Sequence, residues 1–216
     1  MSISEQTRAE LAELAGRYPQ ARSALLPMLH LVQSEEGYVS PDGIAACAET
    51  LGLSTAEVAA VSTFYTMYKR RPAGKHHVGV CTNTMCAILG GDAVWDAVSA
   101  RAGVGHDEVS ADGLFDLERI ECQAACTHAP VMTVDWEFFD RMTPDEAIAV
   151  LDRLEAGAEV RSTRGPVVRG FRAAERTISG IDDDGLADEG PNADELMLAS
   201  VRAAAELGVP AADGGR

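Results

Sequence analysis

Basic side chains are scarce in this chain: 18 Lys and Arg stand against 34 Asp and Glu, for a formal net charge of −16. A surface of that sign repels phosphate backbones, which argues against nucleic-acid binding as the main function and favours basic partners. Aromatic residues are also few, 5% of the total, too sparse for a base-stacking platform. No apolar run approaches the roughly 20 residues that a membrane-spanning helix needs. The first ten residues offer neither a basic n-region nor an apolar h-region, so no signal peptide is expected. The expected compartment is the cytosol, where thiols stay reduced. No G-x-G-x-x-G follows a strand and opens a helix, and Gly90-Gly91 alone is too weak a signal for a nicotinamide site.

What is present divides into three stretches. Residues 1–72 read as a small helical bundle. One helix runs from Ser4 to about Arg17, and another from Ser23 to Gln33 with Pro27 kinking it or lying in its first turn. Ser40-Pro41 supplies an N-cap and a proline at N1 for a third, which ends at Gly52. Ser54-Thr55-Ala56-Glu57 is a capping box opening a fourth, expected to carry Val58, Val61, Phe64 and Tyr65. Cys47, alone on its helix face, reads as a buried structural thiol.

Residues 70–75 read as a linker. From 75 to 157 the pattern is β (Lys75–Thr82), α (Gly91–Ala102), β (Leu114–Ile120), β (Val131–Asp135) and α (Thr143–Glu155), the last with its own capping box. Glu137-Phe138-Phe139 is a possible further strand, paired to the preceding one through a tight turn. This is an α/β layer of thioredoxin size. From 158 to 216 composition predicts a charged, partly disordered tail with a possible short helix, Ala193 to Leu207, capped by Asn192. Asp182-Asp183-Asp184-Gly185 lacks the alternating acids of a calcium loop.

Four of the five cysteines fall in two tight pairs, Cys81-x4-Cys86 and Cys122-x3-Cys126, each after a strand-like segment. Such loops at the end of one sheet could bring four thiolates together. Zinc is one candidate, although its pairs usually follow C-x2-C spacing and both gaps here are wider. A redox disulfide is another, but the C-x-x-C motif is missing and neither pair sits at the start of an evident helix. A [2Fe–2S] cluster, which divides four thiolates between two irons, fits two pairs on two loops, although only the first gap agrees with the plant-type pattern. The residues between the paired cysteines include no acid, which suits a centre of net negative charge. His76, His77 and His128 lie nearby in sequence, but four cysteines make a mixed Rieske-type site unnecessary.

Glu36-Gly37-Tyr38-Val39, Phe64-Tyr65-Thr66-Met67-Tyr68, Asp112-Gly113-Leu114-Phe115, Ala129-Pro130-Val131-Met132 and Thr143-Pro144 carry a resemblance, together with the cysteine spacing. From about Tyr18 to Gly157 the chain resembles the family of E subunits of bacterial NADH:quinone oxidoreductase (respiratory complex I), thioredoxin-like [2Fe–2S] ferredoxins. The resemblance implies a thioredoxin-like [2Fe–2S] domain over 75–157, preceded by the N-terminal helical bundle and followed by an extended tail. It implies Cys81, Cys86, Cys122 and Cys126 as ligands of one [2Fe–2S] cluster. It further implies an electron-transfer role beside a partner flavoprotein that holds FMN and NADH. The bundle would be a docking arm, and the assembly would sit at the inner face of the cell membrane. An NAD-linked hydrogenase or formate dehydrogenase small subunit, and a zinc-stabilised adaptor, are the alternatives.

Two departures stand out. The family usually has glycine where Ala124 stands, so a positive φ there would strain alanine. The tail beyond Gly157 is longer than the common form, and its five arginines between Arg161 and Arg176 could lie against an acidic partner surface.

Overall fold

A computed structural model describes residues 3–181 and 195–208 of the chain. The first helix, α1 (Glu5–Gly16), starts where the Ser4 hydroxyl accepts the Thr7 N–H, and it buries Leu11 and Leu14. A 3₁₀ turn (Ala21–Ala24) leads into α2 (Leu25–Glu36). Pro27 lies in its first turn, where a missing N–H breaks no intrahelical bond. Gly37 ends α2 in the left-handed region at φ 80°. The next helices, α3 (Pro41–Leu51) and α4 (Thr55–Ser62), open on the Ser40 cap and the Ser54–Glu57 capping box. Their apolar faces share one core, around Leu11, Met28, Leu29, Leu31 and Val58. Cys47 lies in that core, and burial pushes its thiol up to about 12.

The fourth helix is shorter than expected. It stops at Ser62, and Phe64 and Tyr65 stand 78% and 45% exposed. Tyr68 takes the inward position instead, donating its hydroxyl to the Leu26 carbonyl at 3.0 Å. A continued helix would not deliver Tyr68 to that site.

The stretch expected as a linker is tied down: Ala73 donates to the Gly37 carbonyl and Lys75 to that of Gly113. The α/β part then runs β1 (His76–Cys81), α5 (Thr84–Ile88), α6 (Gly91–Ala102), β2 (Glu108–Val109), β3 (Phe115–Ile120), β4 (Met132–Val134), β5 (Glu137–Phe139) and α7 (Pro144–Glu155). The strands form one mixed sheet in the order β2-β3-β1-β4-β5. β1 and β3 are parallel neighbours with Cys81 opposite Ile120; the other pairings are antiparallel. The β4–β5 hairpin turns on Asp135 and Trp136, both at positive φ, as a two-residue turn that follows strand twist requires. Helices α6 and α7 supply Val94, Val98, Leu151 and Leu154 to the core beneath the sheet. Among the strands, sequence reading omitted only β2, too short at two residues to carry a pattern.

The expectation of a solvated tail is corrected over residues 158–181. Val160 and Val168 join the sheet core, while Ile181 packs on the helical core. Helix α8 (Phe171–Ile178) lies between the two, with Phe171 and Glu175 fully buried. Its arginines are used internally: Arg172 donates to the Ser34 and Glu35 carbonyls, and Arg176 forks onto Glu10 at 2.6 and 3.0 Å. Arg164 grips Asp140 at 2.9 and 3.0 Å, Arg161 reaches Glu159 at 3.1 Å, and Arg169 lies within electrostatic reach of Glu137. These contacts replace the acidic partner surface offered above. The last helix, α9 (Glu195–Glu206), falls where a short one was expected, while the proposed Asn192 cap and the Asp182–Gly185 run lie outside the described residues.

Charged groups join the parts. The Glu175 carboxylate meets His30 Nδ1 of α2 at 2.6 Å and accepts from Trp136 Nε1 of the hairpin at 2.7 Å. Glu118 of β3 meets His77 Nε2 at 3.0 Å and pairs with Lys69. Burial alone would raise the Glu118 carboxyl, but His77 and Lys69 outweigh it and hold the group down at about 2.

Two consequences are measurable. Glu175→Ala leaves the buried His30 and half-buried Trp136 without their shared acceptor, so it should cost roughly 1–3 kcal/mol. The readout is the urea midpoint, with the slope unchanged. Glu118 is depressed from an ordinary value of 4.5, so its stabilisation is complete above that pH and is lost as pH falls toward about 2. Glu118→Gln should therefore start less stable at neutral pH and lose less across that window than the parent chain.

Candidate metal centre

Parallel pairing of β1 with β3 sets their carboxyl ends side by side, the end at which open α/β sheets place their functional loops. Cys81 is the last residue of β1, and Cys122 follows two residues after β3 ends. The first loop is short and supported. Cys81 donates its N–H to the Val131 carbonyl at 3.0 Å. Asn83 then stands at the N-cap position of α5, and Cys86 lies inside that helix. This corrects the expectation that neither pair sits at a helix start, since a five-residue helix is too short to show a period.

Behind this loop stands Gly91, the first residue of α6. A Cβ there would come within 2.6 Å of the Cys81 carbonyl oxygen and 2.9 Å of the Cys86 carbonyl carbon. Only glycine allows α6 to press this closely on the backbone carrying both cysteines. Sequence reading weighed Gly90-Gly91 only as a nucleotide loop; a glycine beside paired cysteines was also a sign of close backbone approach.

The second loop leaves β3 at Ile120. Cys122 is exposed, Ala124 takes φ 56°, Ala125 is buried, and Cys126 opens a 3₁₀ turn to His128. The positive φ at Ala124 is the strained position that the family's usual glycine pointed to.

The four thiols stand as two pairs. Cys122 and Cys126 have their sulfurs 3.7 Å apart, and the Cys81 and Cys86 thiols are near enough to perturb one another. The pairs face each other: Cys126 lies within electrostatic reach of both Cys81 and Cys86. Two sulfurs at about 2.3 Å from one tetrahedral metal stand about 3.8 Å apart, so the Cys122–Cys126 separation is already that of a chelating pair. A mononuclear zinc centre needs four sulfurs around one point, whereas a binuclear cluster needs two facing pairs. The donor set fits the cluster better.

The surroundings agree. Burial, and then neighbouring Cys81, push the Cys86 thiol up to about 11, while the nearby Val131 N–H opposes them. The contact with Cys122 raises Cys126. The Cys86 and Cys126 thiols thus resist ionisation, and metal binding must displace their protons. Ile120, Ala125 and Val131, with Ala129 and Phe138, form an apolar wall around Cys81 and Cys86. Two of the histidines stand apart. His76 and His77 occupy the far end of β1, held by Asp135 at 2.7 Å and Glu118 at 3.0 Å. His128 is buried and shares a hydrogen bond with the Thr127 hydroxyl. A cleft of about 460 Å³ between residues 62–71 and the outer edge of the sheet is lined by no cysteine.

A small mixed-sheet α/β layer with two thiol pairs on the loops after two parallel strands is a thioredoxin-like arrangement. The chain belongs to the thioredoxin-like [2Fe–2S] ferredoxin family, whose model matches residues 11–155. It is 50% identical over 188 residues to the E subunit of the NADH-quinone oxidoreductase of Mycobacterium tuberculosis (strain ATCC 25618 / H37Rv), covering 87% of this chain and 74% of that one. It is 35% identical over 169 residues to NADH-quinone oxidoreductase subunit 2 of Thermus thermophilus, covering 77% and 93%. Among solved structures, an NAD⁺-reducing [NiFe]-hydrogenase in its air-oxidised state matches with a TM-score of 0.54 at 15% identity. That match covers 60% of this chain and 23% of the hydrogenase chain, and it bears on the fold alone.

The strain at Ala124 is testable. Ala124→Gly should relieve the left-handed conformation and, after the entropy cost of glycine, stabilise the chain by about 0.5–1 kcal/mol. An unchanged or lowered urea midpoint would show that the loop carries no such strain.

Proposed function

We propose that this chain is the electron-transfer subunit of an NADH-oxidising respiratory complex, holding one [2Fe–2S] cluster on Cys81, Cys86, Cys122 and Cys126. The observation that carries this reading is the pair of facing dithiols at the ends of β1 and β3, in a chain half identical to a protein named as the E subunit of NADH-quinone oxidoreductase. When bound, the cluster supplies a one-electron acceptor and donor.

The residues of the chain divide the remaining work. Buried Cys81 and Cys86 hold the inner side, with Ile120, Ala125 and Val131 excluding water from it. Exposed Cys122 and half-buried Cys126 place the outer side at the surface, within reach of a redox partner. Around the first loop Met85, Ile88 and Leu89 stand 45%, 73% and 52% exposed. An apolar group of this kind beside a redox site marks a docking face. The partner on it is proposed to be a flavoprotein whose FMN takes hydride from NADH and passes on single electrons. The helical unit over 1–72 would act as the docking arm, joined to the 75–157 unit through α8. No described helix is long and apolar enough to cross a membrane, so attachment to the inner face of the cell membrane is proposed to run through the other subunits.

The test counts iron, zinc and acid-labile sulfide on anaerobically purified protein, with EPR before and after dithionite. Two irons and two sulfides per chain, silent until reduced, are expected; one zinc without sulfide would remove the redox role. Cys126→Ser should lose or severely weaken the cluster, and Cys47→Ser should leave its spectrum unchanged. A Cys126→Ser protein with the parent spectrum would refute the ligand assignment.

A further inference from the structure

Asn83 is placed where asparagine usually caps a helix. As N-cap of α5 its side chain would ordinarily accept a backbone N–H of the first turn. It makes no such bond. The side chain instead reaches across to the other loop, its Nδ2 donating to the Ile120 carbonyl at 3.1 Å. That carbonyl only accepts, so the NH₂ end must face it, which fixes the orientation of the amide. The same nitrogen has a second hydrogen and lies 3.9 Å from the Cys81 sulfur, within the range of a weak N–H···S contact. One side chain therefore spans the end of β3, two residues before Cys122, and the first cysteine of the other pair.

We propose that Asn83 is a positioning residue that braces the two cysteine loops against each other and donates to the Cys81 thiolate, so that it sets both the reduction potential and the lifetime of the bound cluster. The proposal rests on the ligand reading given above. A donor aimed at a ligand sulfur favours the more negatively charged, reduced state of the centre. The brace has a separate effect. It holds the loops at their working separation before and after loading, so ligand exchange requires breaking the Asn83–Ile120 bond. The helix-capping interaction that Asn83 forgoes at α5 is the structural cost of that arrangement.

The experiment uses the full chain with its cluster, comparing the parent with Asn83→Ala and the isosteric Asn83→Asp. Three quantities are read: iron per chain, the midpoint potential by EPR-monitored redox titration, and the rate of iron release to EDTA. Both variants are expected to bind two irons, to be about tenfold harder to reduce, a potential about 59 mV lower, and to release iron several-fold faster. Asn83→Asp, which places a carboxylate beside the sulfur and the Ile120 carbonyl, should show the larger potential change. Parent values for both potential and release rate in either loaded variant would overturn the proposal. If Asn83→Ala fails to fold, as judged by circular dichroism, Asn83→Asp decides alone. A parent chain without iron would instead remove the ligand reading, so the two failures are distinguishable.

Discussion

The parallel pairing of β1 with β3 is the constraint on which the site depends. Every other strand contact in the sheet is antiparallel, and an antiparallel partner would carry its following loop to the opposite end. Because these two strands run together, with Cys81 level with Ile120, both cysteine loops leave the sheet at the same edge. A parallel pair needs a crossover, and α6 supplies it. That helix begins at Gly91 against the backbone of Cys81 and Cys86, so the element that makes the pairing possible also supports the first loop.

Burial is uneven across the site in a way that suits its work. Cys81 and Cys86 lie under an apolar wall, whereas Cys122 is exposed and Cys126 half-buried. A centre enclosed on all sides would exchange electrons slowly, and one open on all sides would lose its metal. The hydrogen-bond donors near the inner sulfurs, the Val131 N–H and the Asn83 amide, are uncharged groups fixed by the ends of strands. The buried Glu118 carboxylate is paired with Lys69 and His77.

That buried charge has its own architectural role. Glu175 connects a helix of the amino-terminal unit to the β4–β5 hairpin, and Arg172 and Arg176 on the same short helix hold α2 and α1. The arginine-rich composition of this stretch suggested an outward, partner-seeking surface. Composition counts charges but does not reveal which acids fold back against them, and Glu10 and Asp140 are distant in sequence. Phe171 gave little warning either, since a lone aromatic among arginines has no period. The end of α4 was misread for a related reason: Phe64 and Tyr65 continue a helical pattern, but the demand of the core for Tyr68 turns the chain first.

The elements with local chemistry were legible in the residues themselves. The Ser54 and Thr143 capping boxes, the Ser40-Pro41 start and the glycine stops act through neighbours a few positions away. The two cysteine pairs were equally plain, because spacing within a loop is a local property, and the family's glycine at position 124 pointed to the positive φ of Ala124. What only the tertiary structure decided is how distant pieces meet. It set the two dithiols face to face, pressed Gly91 onto their backbone, turned Asn83 away from its helix and buried α8 between two cores. Each of these depends on contacts between separate elements, where the partner is chosen by the packing of whole elements and leaves no trace in the spacing of either segment.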